Sequence, residues 1–372
     1  MKTKTPLAAL AAFTTGILLL AGCGKPTTTT SSETPEATPS AEATPAPNEE
    51  EKVLNLFCWT EYVPQSVIDA FTQETGIKVN MQNYESNEEM LQKLLSGGGN
   101  YDLIQPSDYM IEAMAKAGYL RPLDKEAIPN LKNIAPEFLD KSFDPGNKYS
   151  VPWMAGTVGI VVNTELVKDE IKGYKDVFQE KFKGKIIVLD DARELVSWAL
   201  ASEGIDVNEI TPENLQKARE VLADWIPLVA AFDSTSPKDA LLKGNVALGV
   251  VWNGEGGYIL RDDQSGKFKW ILPEDGTHLF IDSLAIPNTA KHPKNAELFM
   301  NFILRPEINK MIWDEFPYLN PNAEGRKLLT PEQLANAAAF PPDDVVAKMP
   351  IFKDIGDQAG AVDEIINELK VQ

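Results

Sequence analysis

The chain has 372 residues, 43% hydrophobic and 24% charged, with a formal net charge of −20. So acidic a chain is a poor match for nucleic acid and a good one for cations, whose arrival a negative surface speeds. Its only cysteines are Cys23 and Cys58 and its only histidines His278 and His292, too few for a thiolate metal site or a disulfide framework.

Lys2 and Lys4 precede an apolar run from Leu7 to Leu20 that closes on Ala21, Gly22 and Cys23. The run is short for a membrane span, and small residues before a cysteine suit lipoprotein processing, so residues 1–22 are expected to be a signal peptide and Cys23 a lipidated N-terminus. Removing both lysines makes the mature chain more acidic still. Residues 23–50, rich in Thr, Ser, Pro, Ala and Glu, have little to bury and are expected to form a disordered tether. Residues 51–372 exceed what one compact core usually holds, so two lobes are expected.

The periodicity predicts a strand at Val53–Phe57, a helix with Val67, Ile68 and Phe71 inward, and a stop at Gly76. A strand at Ile77–Met81 follows, then a helix carrying Met90, Leu91, Leu94 and Leu95, a strand at Asp102–Ile104, and a helix with Ile111 and Met114. The theme restarts with a strand at Ile186–Leu189, a helix from about Arg193 and a long helix from Pro212 towards Ile226. Further strands are expected at Val229–Phe232 and Val246–Trp252, with turns at Ser234–Pro237 and Asn253–Gly257. Repeated βα units imply an α/β fold with mostly parallel sheets, the lobes meeting near Met154–Thr157.

Open parallel sheets bind ligands beyond the carboxyl ends of their strands. There stand Trp59, Thr60, Glu61 and Tyr62; Ser107, Asp108 and Tyr109; Asp190, Asp191 and Glu194; and Trp252 with Glu255. Acids spaced between flat aromatic rings suit a guest that carries ammonium groups on methylene chains, each ring face contributing about 0.5–2 kcal/mol and each desolvated carboxylate bond roughly 1.5–3 kcal/mol. Release is then expected as the carboxylates protonate, near pH 4 if they titrate at about their ordinary values.

Plainer readings stand beside these. Asp191 followed by Glu194 has the spacing of a helix capping pair, and Trp59, Tyr62 and Tyr109 could each be core. Trp198, Trp225, Trp270 and Trp313 sit in helical or sheet-edge patterns and are assigned to packing. The chain has no nucleophile elbow, H-E-x-x-H or P-loop, and Gly254, Gly256 and Gly257 do not complete a dinucleotide fingerprint, so no catalytic residue, metal or cofactor is expected. The enzyme-class alternative is a glycoside hydrolase using Asp191 with Glu194, or Glu61 with Asp282; a sugar-binding lipoprotein is the related option.

Trp59 to Pro64 and Phe71 to Val79 resemble the N-terminal signature of the periplasmic spermidine/putrescine-binding proteins. Glu85–Glu88, Tyr101–Ile104, Asp190–Glu194, Trp252–Gly254 and Asp282–Pro287 are similar to later segments of that family. The resemblance implies a two-lobed type II periplasmic binding protein, with residues 51–156 and 280–325 in one lobe and 157–279 and 326–372 in the other. It implies a monomer, periplasmic or on the cell surface, that closes on a polyamine and delivers it to an ABC permease.

Binding positions carried over by resemblance are Trp59, Thr60, Glu61, Tyr62, Ser107, Tyr109, Asp191, Glu194, Trp252, Asp282 and Tyr318. Phe280 and Glu255 join them as features shared with putrescine-preferring relatives, where spermidine-preferring ones have a tryptophan and a neutral residue. The family's late glutamine has no counterpart near Phe352 and Lys353. Asp282 is expected to anchor the guest, with Glu61, Asp191, Glu194 and Glu255 as further counter-charges.

Overall fold

The structure, a computed structural model, describes residues 50–97 and 99–371; the expected signal peptide, Cys23 and all but the last residue of the tether lie outside them. Among these residues nine strands form one curled mixed sheet: β1 Val53–Trp59, β2 Lys78–Tyr84, β3 Leu103–Ile104, β4 Ser150–Asn163, β5 Ile186–Val188, β6 Val229–Phe232, β7 Leu248–Trp252, β8 Phe268–Ile271 and β9 Leu279–Ala285. Their order is β2-β1-β3-β9-β4-β7-β5-β6, with β8 beside β4.

The βα repeats supply the parallel outer pairs, β1 with β2 and β3, and β5 with β6 and β7. All pairings through β4 and β9 are antiparallel. β4 is the common element. Its residues Ser150–Thr157 pair with β9, and Val158–Asn163 pair with β7 and β8, so the sheet changes partners between Thr157 and Val158, beside the expected meeting point.

Burial follows the same division. One apolar cluster gathers Leu54, Phe71, Ile104, Trp153, Ile281 and Phe299, and another gathers Val158, Val188, Trp198, Leu222 and Val250. A third, with Val161, Ile187, Val251 and Phe268, covers the opposite face of the second half. The C-terminal helix Ala359–Lys370 adds Val362, Ile365, Ile366 and Leu369 to the second cluster. Beyond Arg326, near which a crossing between lobes is expected, Val346 packs into the first cluster, and Phe352 and the C-terminal helix pack into the second.

Several boundaries differ from the expected ones. The second strand runs Lys78–Tyr84, and Leu95, at the end of its helix Asn87–Leu95, is exposed. Asn253–Gly257 is not a turn but the start of a helix, Asn253–Asp262. The glycines answer to close approach here: a Cβ at Gly254 would lie 2.2 Å from the Tyr318 ring, and one at Gly257 would lie 2.6 Å from the Pro317 carbonyl oxygen. Both lie well inside contact distance, so the helix docks against Pro317–Tyr318 only with glycine at those positions.

Candidate functional site

The carboxyl ends of β1, β3, β5 and β7 open onto one cleft of about 530 Å³, and β9 crosses its floor. All thirteen residues expected at the ligand line it: Trp59, Thr60, Glu61, Tyr62, Ser107, Tyr109, Asp191, Glu194, Trp252, Glu255, Phe280, Asp282 and Tyr318. Eleven acids line the cleft against one arginine, Arg193, so its field favours a cation.

Asp282 is the centre of the floor. It lies on β9, 3% exposed; Tyr62 Oη donates to its Oδ2 at 2.6 Å and Ser107 Oγ to its Oδ1 at 2.6 Å. Ser107 stands at the N-terminus of the helix Asp108–Lys116 but does not cap it with its hydroxyl, which is turned to Asp282. The next residue, Asp108, is buried and fixes the strand, accepting from Ile281 N at 3.0 Å and Tyr109 N at 2.7 Å. Burial pushes the Asp282 carboxyl up to about 6, with the two hydroxyl donors pulling against that rise. A carboxylate that has lost its water is half neutral near pH 6 and gains most from an ammonium brought beside it.

Aromatic rings frame Asp282. Tyr62 meets Tyr318 edge-on at 5.0 Å between centroids, and Trp252 meets Phe280 edge-on at 5.4 Å. Trp59 Nε1 donates to the Gln105 carbonyl at 2.9 Å, holding one face of its indole along the cleft. Each of these residues serves packing and lining together, so the two readings of the sequence do not compete.

The second acidic region sits at the start of the helix Ala192–Ser202. Asp191 is its N-cap, its Oδ1 accepting from Glu194 N at 3.0 Å. The reciprocal half of a capping box is absent: the Glu194 carboxylate turns inward, accepts from Trp198 Nε1 at 3.1 Å and lies 3.2 Å from His278 Nε2. Trp198 therefore has an acid partner one helical turn before it. Burial raises both carboxyls, Glu194 the more strongly, and the Asp191 charge adds to the rise at Glu194. Across the cleft Tyr109 Oη donates to Glu88 Oε1 at 3.1 Å and accepts from Asn87 Nδ2 at 2.9 Å.

Three features were missed by sequence reasoning. His278 stacks on Phe352 at 3.7 Å between centroids, and the Arg193 guanidinium lies over the Phe352 ring, 4.6 Å from its centroid. Phe352 thus forms cleft wall where the family's glutamine had no counterpart; nothing local in the sequence marks it. Burial pushes His278 down to about 3, so it faces Glu194 as a neutral ring. The third is Lys238, whose Nζ lies 3.0 Å from Glu61 Oε2 and 2.9 Å from Glu255 Oε1. Glu61 and Glu255, expected to meet a guest as free charges, are already paired within the protein. Among the described residues no cluster of acids, histidines and cysteines has the arrangement of a metal site.

The family model of bacterial extracellular solute-binding proteins matches residues 66–342. A spermidine/putrescine-binding periplasmic protein of Salmonella typhimurium is 38% identical over 320 residues, which are 85% of this chain and 91% of that protein. A putrescine-binding periplasmic protein of Escherichia coli K12 is 30% identical over 318 residues, 81% of this chain and 86% of that one. Among solved structures, a spermidine/putrescine ABC transporter substrate-binding protein of Streptococcus pneumoniae is 32% identical with a TM-score of 0.74, covering 86% of this chain and 99% of its own. A Treponema pallidum lipoprotein is 26% identical with a TM-score of 0.78, covering 86% and 100%.

Proposed function

The chain belongs to the bacterial extracellular solute-binding protein family, and on that premise we propose that its cleft captures a polyamine and presents it to an ABC permease in the membrane. The observation that carries the reading is Asp282, a carboxylate stripped of water, held by two hydroxyls and framed by tyrosine, tryptophan and phenylalanine rings. An ammonium placed there compensates Asp282 for the hydration that burial removed, and the rings cover the adjoining methylenes. Asp191 with Glu88 supplies the counter-charge for a second ammonium.

Capture proceeds by closure of two lobes, residues 51–156 with 280–351 and residues 157–279 with 352–372. The change of sheet partners along β4 supports a hinge at Thr157–Val158. The protein acts as a monomer, periplasmic or on the cell surface, tethered through a lipid on Cys23. Replacing Cys23 by Ala should move it from the membrane fraction to the soluble one; retention in the membrane would refute the anchor.

Glycoside hydrolysis is not favoured. Glu194 is tied to Trp198 and His278, Asp191 to a helix N-terminus and Glu61 to Lys238, and the relatives are named as binding proteins. Calorimetric titration with putrescine, spermidine, a neutral oligosaccharide and an amino acid tests the proposal. Saturable heat from a polyamine alone is expected; heat only from another solute would overturn the polyamine reading and leave the family intact.

A further inference from the structure

We propose that Lys238 is a built-in ammonium that fills one cation subsite of the cleft, limiting the guest to two charged amines. This rests on the polyamine reading. Lys238 is the second residue of the helix Pro237–Leu242, and its side chain is 13% exposed. Its Nζ lies against Glu61, Glu255 and, at 4.8 Å from the centroid, the face of Tyr258. Two carboxylates and an aromatic face are the surroundings that a guest's ammonium would need. The protein supplies that ammonium itself.

The occupation is firm because it is doubled. Glu255, 3% exposed, takes Nζ on Oε1 and the Lys238 backbone N–H on Oε2 at 3.1 Å, so one residue engages both oxygens of the carboxylate. That N–H is one of the donors left free at a helix start, and satisfying it fixes where the lysine side chain begins. Glu61, held on the β1 side of the cleft with φ of 57°, completes the pair from the opposite wall. A guest reaching this end would have to displace a tethered competitor from a buried partner, at the loss of a desolvated ion pair. Of the other acids in the cleft, Glu89 pairs with Lys93, Asp190 with Lys370 and Glu194 with Trp198 and His278, while Asp108 and Asp233 accept from backbone N–H groups. The acids left for a guest are Asp282 and, apart from it, Asp191 with Glu88 and neighbouring Glu85. Two regions of acid accommodate two ammoniums; a triamine has a third with no partner.

The test is calorimetric titration of the wild-type protein and of Lys238→Met with putrescine, cadaverine, spermidine and spermine. Wild type should bind the diamines at least about tenfold more tightly than spermidine, and Lys238→Met should shift the spermidine-to-putrescine affinity ratio at least about tenfold towards spermidine. A ratio unchanged by the substitution, in a variant whose thermal melt is intact, overturns the inference and leaves the polyamine reading standing. Should the variant fail to fold, the wild-type series decides alone, and spermidine binding as tight as putrescine binding overturns it. Wild type that binds no polyamine overturns the functional reading and this inference together.

Discussion

Lowering the pH from 8 to 5 should weaken polyamine binding about tenfold through Asp282 alone. Burial raises this carboxyl to about 6, and a guest ammonium requires its charged form. The apparent affinity then falls in proportion to the ionised fraction, which is nearly complete at pH 8 and about one in eleven at pH 5, a loss of about 1.4 kcal/mol. The amines of the guest stay charged throughout, since they titrate near the range of lysine, about 10.4. Asp191, also raised by burial, acts in the same direction, so tenfold is a lower bound. With an ordinary aspartate the same interval would change the affinity by only about 6%, which is why release near pH 4, expected from reference values, gives way to release beginning near pH 6. Calorimetric titration at pH 8, 7, 6 and 5, in buffers of differing ionisation enthalpy, reads both the affinity and the protons released; about half a proton should leave Asp282 per guest bound at pH 6. Asp282→Asn should cost about 2–4 kcal/mol at pH 8 and abolish the share of pH dependence due to Asp282. Affinity that is flat from pH 8 to 5 would refute a charged contact between Asp282 and the guest.

Tyr62→Phe keeps the edge contact with Tyr318 but removes a donor from Asp282, so binding at pH 7 should weaken by roughly 1.5–3 kcal/mol and the pH midpoint should move above 6; an unmoved midpoint would show that this hydroxyl does not tune the carboxyl. Gly254→Ala puts a methyl 2.2 Å from the Tyr318 ring and should cost about 1–3 kcal/mol of stability along with affinity, measured by thermal melting and titration; wild-type values for both would mean the ring yields freely. The ligand-free protein should also show opposed pH terms. His278, depressed to about 3 from an ordinary 6.5, contributes stability that is present above pH 6.5 and lost as the pH falls towards 3, on the order of a few kcal/mol. Asp282, raised, contributes stability that is present below pH 3.8 and lost as the pH rises through 6. His278→Phe, which can keep the stack on Phe352, should therefore flatten the decline in melting temperature between pH 6.5 and 4; an unchanged decline would assign it to other groups.

The sequence by itself determined the local elements and the chemistry at strand ends. Alternating βα periods located β1, β2, β5 and their helices, because amphipathic segments carry their own period, and the acids and aromatics after those strands do line one cleft. β4 and β9, the strands that join the sheet's halves, are buried on both faces and so lack alternation; Pro152, Gly156 and Gly159 in β4 read as breakers, and Asp282 and Ser283 interrupt β9. Only the tertiary structure decided which acids remain free. Lys238 reaches Glu61 across 177 positions of sequence and Phe352 reaches His278 from the far C-terminal segment, and nothing in either neighbourhood marks the partner. An acid's type is written at its own position. Its charge state and availability depend on which groups the fold brings within about 3–4 Å and on how much water it excludes.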